Sequence, residues 1–257
     1  MEALRQRVRA ALERERLDAV VASAPENVFY VSGFRSLAAS VVRGVQLYAV
    51  LSPRTLALVL SRADVPCALE QGLSEDELFS YGSFHFDRRE DESQHSFPGK
   101  VQAVLDRSFA TPLEALIAAL ERMAGNSKAV AVDRTGVPAE VWDALTERYG
   151  NPQLHDAAGL FRSVRRVKTD EEVGRIERAT SISEDAVFAT LEQVRDGMTE
   201  REMAQLYEQR VIADGGKPWF TVIAFGERAA FADAPPTSRP LRRGDLIRFD
   251  VGCVYQG

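Results

Sequence analysis

Apolar residues recur along this chain at two spacings, and stretches of each kind alternate. Leu4, Val8, Ala11 and Leu12 fall on one face of a helix predicted over residues 1–16. "LDAVVAS" follows as a short apolar strand, and "PENVFYVSGF" turns into irregular or short helical structure. "VQLYAVLS" and "TLALVLS", parted by Pro53 and Arg54, predict a hairpin of largely buried strands. "LEALIAALERM" is predicted helical and "KAVAVD" a strand, while "PAEVWDALTERYG" is a helix opened by Pro138 and closed by Gly150. Alternation of strands and helices predicts a layered α/β domain.

Near residue 157 the pattern changes. Thr169 and Glu172 form a capping box, and Val173, Ile176, Thr180, Ser183, Val187, Leu191 and Val194 then follow on one face of a long helix ended by Gly197. Thr199 and Glu202 repeat the device, with Gly215 and Gly216 as the stop. "FTVIAF" and "LIRFDV" are predicted strands joined by the Pro-rich loop "ADAPPTSRP". An order of helix, helix, strand, strand departs from the first half. The expected domains are therefore residues 1–157 and 158–257.

Composition narrows the function. A hydrophobic fraction of 45% and a charged fraction of 27% are those of a soluble globular protein. The net charge of −6, with acids and bases interleaved, offers neither the basic stripe of a nucleic-acid surface nor a polybasic membrane arm. Cys67 and Cys253 lack the spacing of a zinc knuckle or redox pair. The N-terminus has no apolar signal region and no apolar run approaches a bilayer span, so a cytoplasmic location is expected.

Candidate chemistry lies in two places. In the loop "FHFDRREDESQHSFPGK", His85 and His95 lie among Asp87, Glu90, Asp91 and Glu92, but no strand or helix spacing converges them; a solvated loop is expected. In "LIRFDVG", alternation puts Ile247, Phe249 and Val251 on one face and Arg248 and Asp250 on the other. Asp250 reads either as an exposed or partly exposed acid beside an arginine two residues away or as an oxygen ligand that a rigid strand presents to a divalent cation. One carboxylate cannot hold a metal, so the second reading needs converging partners.

"VRRVKTDEEVGRIERATSISEDA", "VRDGMTEREMAQ" and "GDLIRFDVGCVYQG" together resemble the start of the pita-bread metallohydrolase domain shared by prolidase, aminopeptidase P and creatinase. Upstream, "LDAVVASAPENVFYVSGF" resembles the opening of the creatinase-type N-terminal domain that accompanies it. The fold implied is a three-layer α/β domain followed by the first half of an α+β pita-bread domain. Also implied are two divalent metals (manganese, cobalt or zinc) held by two aspartates, a histidine and two glutamates, which activate water for hydrolysis of a peptide or amide bond. Asp250 matches the first aspartate. The second is expected about eleven residues on, along the returning hairpin strand, past Gly257, with the histidine and glutamates later still. His85, His95 and His155 all precede the second domain. As written, the chain is therefore expected to be a truncated, inactive member that binds no metal stably.

The resemblance implies further roles. The family's peptidases carry a histidine in the loop before a "PT" segment; here Asp233 takes that place. A carboxylate accepts hydrogen bonds and does not switch protonation near neutrality as imidazole does. This weighs against an ordinary Xaa-Pro peptidase and toward a creatinase-like or ectoine-hydrolase-like enzyme, with a solvated loop aspartate as the plain alternative. Phe34 and Arg35 occupy a turn in the N-terminal domain, which in family dimers can approach the other subunit's active site, where an arginine can clamp a substrate carboxylate; a solvated arginine is the plain alternative. A non-catalytic dimerising or binding module is the alternative of a different class. Cys253 is expected to pack rather than react.

Overall fold

The computed structural model describes residues 1–42, 44–86, 93, 96–124, 129–150 and 153–256. They form two compact units, Met1–Val167 and Lys168–Gly257.

The first unit is built on the strands β1 (Ala19–Ala22), β2 (Tyr48–Leu51), β3 (Leu56–Ser61), β4 (Leu78–Tyr81), β5 (Val130–Val132) and β6 (Leu154–Asp156). Its helices are α1 (Glu2–Glu15), α2 (Pro25–Ser32), α3 (Leu37–Val41), α4 (Val65–Glu70), α5 (Phe97–Leu105), α6 (Pro112–Ala124), α7 (Ala139–Tyr149) and α8 (Ala158–Arg166). The strands make one sheet in the order β4-β3-β2-β1-β5-β6. Pair β2–β3 is antiparallel, as the predicted hairpin requires; β1–β2 is antiparallel too, and the other three pairs are parallel.

Strand alternation divides the core cleanly in two. Val20, Ala22, Leu51, Leu58 and Leu60 pack on one face with Leu12, Val28 and Phe161. Ala19, Val21, Val50, Val59 and Val132 pack on the other with Leu116, Leu120 and Leu145. Because both faces are covered, the strands read as continuous apolar runs rather than as alternating ones. This is the expected three-layer α/β architecture.

The division between units falls after Val167 rather than near residue 157. Leu160 and Phe161 of α8 are buried in the first core, so the helix that follows the expected boundary belongs to the first unit. Its apolar pair was too short a signal to reveal which core it joins.

The second unit comprises α9 (Asp170–Leu191), α10 (Glu200–Ala213), β7 (Lys217–Phe225) and β8 (Ile247–Val254). Both capping boxes form: Thr169 Oγ1 accepts from the Glu172 amide at 3.2 Å while Glu172 accepts from the Thr169 amide at 2.8 Å, and Thr199 and Glu202 do the same at 3.2 and 2.7 Å. The buried face of α9 differs from the expected one. Ile182, Ala186 and Thr190 are fully covered, whereas Val173, Ile176 and Leu191 are each more than 40% exposed. The helix meets both α10 and β8, so its core face is turned from the stripe that periodicity alone selects. Of that stripe, Val187 and Val194 still pack against the second core, while Ile176, Thr180 and Ser183 border an open groove of about 640 Å³ along β8 residues Phe249–Cys253.

Candidate functional site

Strand β8 sorts its side chains as its period of two requires. Ile247, Phe249, Val251 and Cys253 pack on the second core with Ile182, Tyr207, Val211 and Ile223. Arg248 and Asp250 therefore turn to the other face, where Asp250 pairs in register with Val222 of β7. The Asp250 carboxylate accepts from Arg248 Nη2 at 2.7 Å, and its side chain is 46% exposed. Asp250 is thus an outward, half-exposed carboxylate on a strand, bonded to the arginine two positions away.

Arg248 reaches further. Its Nη1 donates to the Phe231 carbonyl at 2.6 Å, in the loop that carries Asp233. Asp233 itself is exposed. On the far side of Asp233, Arg228 Nη2 donates to the Pro235 carbonyl at 2.8 Å.

Beneath this loop lies Glu200, the first residue of α10 and fully buried. Its carboxylate accepts from the Phe225 amide at 2.9 Å, the Thr237 amide at 2.8 Å, Thr237 Oγ1 at 2.6 Å and Arg228 Nε at 3.1 Å. Burial pushes the Glu200 carboxyl up, but the Thr237, Phe225 and Arg228 donors outweigh it and hold the group below the usual carboxylate value. The N-terminus of α10 also favours a negative charge there. One buried anion therefore joins the end of β7 to Thr237 and closes the base of the intervening segment.

A second ionic knot fixes the route into β8. Arg239 donates to Glu227 Oε1 at 2.8 Å and to Asp245 Oδ2 at 2.7 Å, and its guanidinium holds the Glu227 carboxyl down at about 2. A Cβ on Gly226 would run into that guanidinium and into Asp245, and Gly226 also has φ +53°, so the position takes glycine on both grounds.

Phe34 and Arg35 of the first unit part company. Phe34 is 1% exposed and belongs to the first core. It supports the turn from below and does not present a ring to a substrate, a correction to its expected role. An aromatic after Gly33 gives no local sign of which way it points. Arg35 is exposed and stacks its guanidinium 4.2 Å from the centre of the Phe29 ring. Next to it, Ser36 Oγ donates to the buried Asp64 at 2.8 Å and accepts from the Ala39 amide at 2.9 Å, capping α3. His85 and His155 are exposed, while His95, Asp87, Glu90, Asp91 and Glu92 lie outside the described residues. Cys253 packs as expected, its Sγ 3.3 Å from the Ala179 carbonyl and 3.4 Å from Ser183 Oγ.

Among the described residues no group of three or more His, Cys, Asp or Glu side chains converges as a metal would need. Asp250 is one suitable donor, and a pair of divalent cations requires several. The described residues do not by themselves fit a dinuclear centre. Sequence reasoning did not find Glu200, Arg228 or the reach of Arg248. Their partners across the irregular loop lie 7 to 37 residues away, where no periodic signal operates.

Comparison with known proteins agrees with this anatomy. Residues 5–167 match the creatinase/prolidase N-terminal domain, and residues 174–257 match metallopeptidase family M24. The Xaa-Pro dipeptidase of Pyrococcus horikoshii is 31% identical over 124 residues, which is 48% of this chain and 35% of that protein. A putative dipeptidase of Bacillus subtilis is 22% identical over 98% of this chain and 62% of its own. The solved prolidase of Pyrococcus horikoshii superposes with a TM-score of 0.71 at 22% identity, over 99% of this chain and 61% of that one. The X-Pro aminopeptidase of Thermotoga maritima gives 0.73 at 20%, over 98% and 61%. The chain thus spans about three-fifths of the length of these solved relatives, and the likeness to them concerns the fold.

Proposed function

The chain belongs to the creatinase/prolidase family of pita-bread metallopeptidases, and on that premise we propose that it serves hydrolysis of a peptide or amide C–N bond, with Asp250 as one carboxylate of a dinuclear metal centre. The observation that carries the reading is the placement of Asp250. It stands on the face of β8 turned away from the core, half exposed, within the segment that matches the metallopeptidase family. Two divalent cations, where bound, supply a polarised carbonyl and an activated water. The remaining four ligands of such a pair are not among residues 1–257 as this reading assigns them, so these residues alone neither hold two ions nor turn over substrate.

The parts this chain contributes are positional. Asp250 offers an anionic oxygen on a strand whose orientation its neighbours Phe249 and Val251 fix by packing. Asp233, exposed at its loop, offers a second carboxylate able to accept a hydrogen bond from a substrate N–H. Arg35, exposed in the first unit, is proposed to bind a substrate carboxylate across a homodimer, in the cytoplasm.

A second reading of the substrate rests on the resemblance of the loop sequence. By that resemblance Asp233 takes the place at which the family's peptidases carry histidine, and on that ground we propose as the alternative a creatinase-like or ectoine-hydrolase-like enzyme acting on another C–N bond. A panel of Xaa-Pro dipeptides, creatine and ectoine, assayed with manganese on a preparation that supplies the missing ligands, separates the two. Turnover of the dipeptides alone supports the peptidase; turnover of a non-peptide alone supports the second reading. In either case D250A lowers turnover by more than about 100-fold, since even outer partners of metal ligands are worth 10- to 100-fold. Unchanged turnover in D250A contradicts the assignment of Asp250. No turnover of any substrate, together with a stable dimer, supports a non-catalytic module.

A further inference from the structure

Asp250 and Asp233 sit on different elements of the second unit, yet one side chain touches both elements. Arg248 places Nη2 at 2.7 Å from Asp250 Oδ2 and Nη1 at 2.6 Å from the carbonyl of Phe231, two residues before Asp233. Two residues after Asp233, the Pro235 carbonyl is held by Arg228, which is itself anchored on the buried Glu200. The loop is therefore gripped on each side of Asp233 by an arginine, and each arginine leans on its own carboxylate. The two grips differ in what they are tied to. Glu200 is fully covered and serves the fold, whereas Asp250 is half exposed and is the residue assigned to the site.

We propose that Arg248 is a positioning residue that fixes the Asp233 loop relative to Asp250, so that the strand carboxylate and the loop carboxylate move as one unit. This rests on the reading that both aspartates face substrate, and it adds a coupling that the assignment of either residue does not contain. Physically, a planar guanidinium is suited to the task, because its donors diverge at fixed angles and cannot serve one acceptor without orienting toward the other. A lysine at this position offers a single charged point. Asp250 orients Arg248 and Arg248 orients the loop, so losing either breaks the same link.

Backbone order parameters of Ala232, Asp233 and Ala234 in the intact protein test this. Wild type is expected near the rigid value of about 0.85, falling below about 0.6 in R248M, while α10 stays rigid. D250A is expected to loosen the same three amides to the same extent, and the double variant R248M/D250A no further, because the contacts act in series. R228M cuts the other grip and is expected to add to D250A. R248K retains charge and restores less than half of the lost order. Unchanged order in R248M, or additive effects of R248M and D250A, overturns the proposal. Its failure is distinguishable from failure of the site reading. If D233N and D250N keep full turnover in the preparation that supplies the missing ligands, while the order parameters behave as stated, the coupling stands and the site assignment falls. If those variants lose turnover but the loop stays ordered in R248M, the assignment stands and the coupling falls.

Discussion

Truncating Glu200 to alanine takes the acceptor from the Phe225 and Thr237 amides, the Thr237 hydroxyl and the Arg228 guanidinium together. Leaving buried donors and one partner of a buried charge pair unmet costs about 3–5 kcal/mol, and urea unfolding of E200A is expected to show a loss of that order. The pH dependence has a definite sign. Donors hold the folded Glu200 carboxyl below its ordinary 4.5, so its contribution is complete above about pH 4.5 and is lost as pH falls through the lower folded value. E200Q is expected to flatten that acid limb of the stability curve; a limb of undiminished steepness contradicts the account. Legibility at this scale follows contact range. The outward turn of Asp250 was readable because a strand has period two and Arg248 lies two positions away. Glu200 carries no local sign of its role, since its partners lie 25 to 37 residues on, and the burial of Phe34 depends on a core assembled from many other elements.

Among the elements, those with strong local signals formed as read. Both long helices of the second unit open on their capping boxes, and T199A is expected to cost about 1 kcal/mol by removing the acceptor for the Glu202 amide. The face of α9 was misread because tertiary contact with α10 and β8 selects its buried stripe, and periodicity near three and four residues leaves neighbouring stripes similar in apolar content. Helix α3 shows a polar device with the opposite sign to Glu200. Burial pushes the Asp64 carboxyl up from its ordinary 3.8, only partly offset by Ser36 and Ser61. Stability that depends on its protonated form is present below pH 3.8 and is lost as pH rises through the raised folded value. D64N removes the buried charge and keeps an acceptor for Ser36. At pH 7 it is expected to leave the first unit as stable or up to about 1 kcal/mol more so, read as a thermal midpoint; a drop beyond that size contradicts the cause assigned to the shift.

Across the molecule, a three-layer first unit was legible because its strands are short apolar runs buried on both faces, and β1 to β3 appear in that form in the sequence. The second unit was legible as far as its order of elements and its family resemblance. What no pattern carried was the polar bracing of the loop between β7 and β8, where three arginines and four carboxylates fix an irregular path. The central claim is that Asp250 is one donor of a two-metal centre that residues 1–257 do not complete. Titrating manganese into this 257-residue chain, followed by calorimetry and by the metal content retained after gel filtration, tests it most directly. The account predicts at most weak binding, with a Kd no tighter than about 10⁻⁴ M, the range of sites with few charged ligands, and no ions retained. Two tightly held ions per chain, released on D250N substitution, would contradict it.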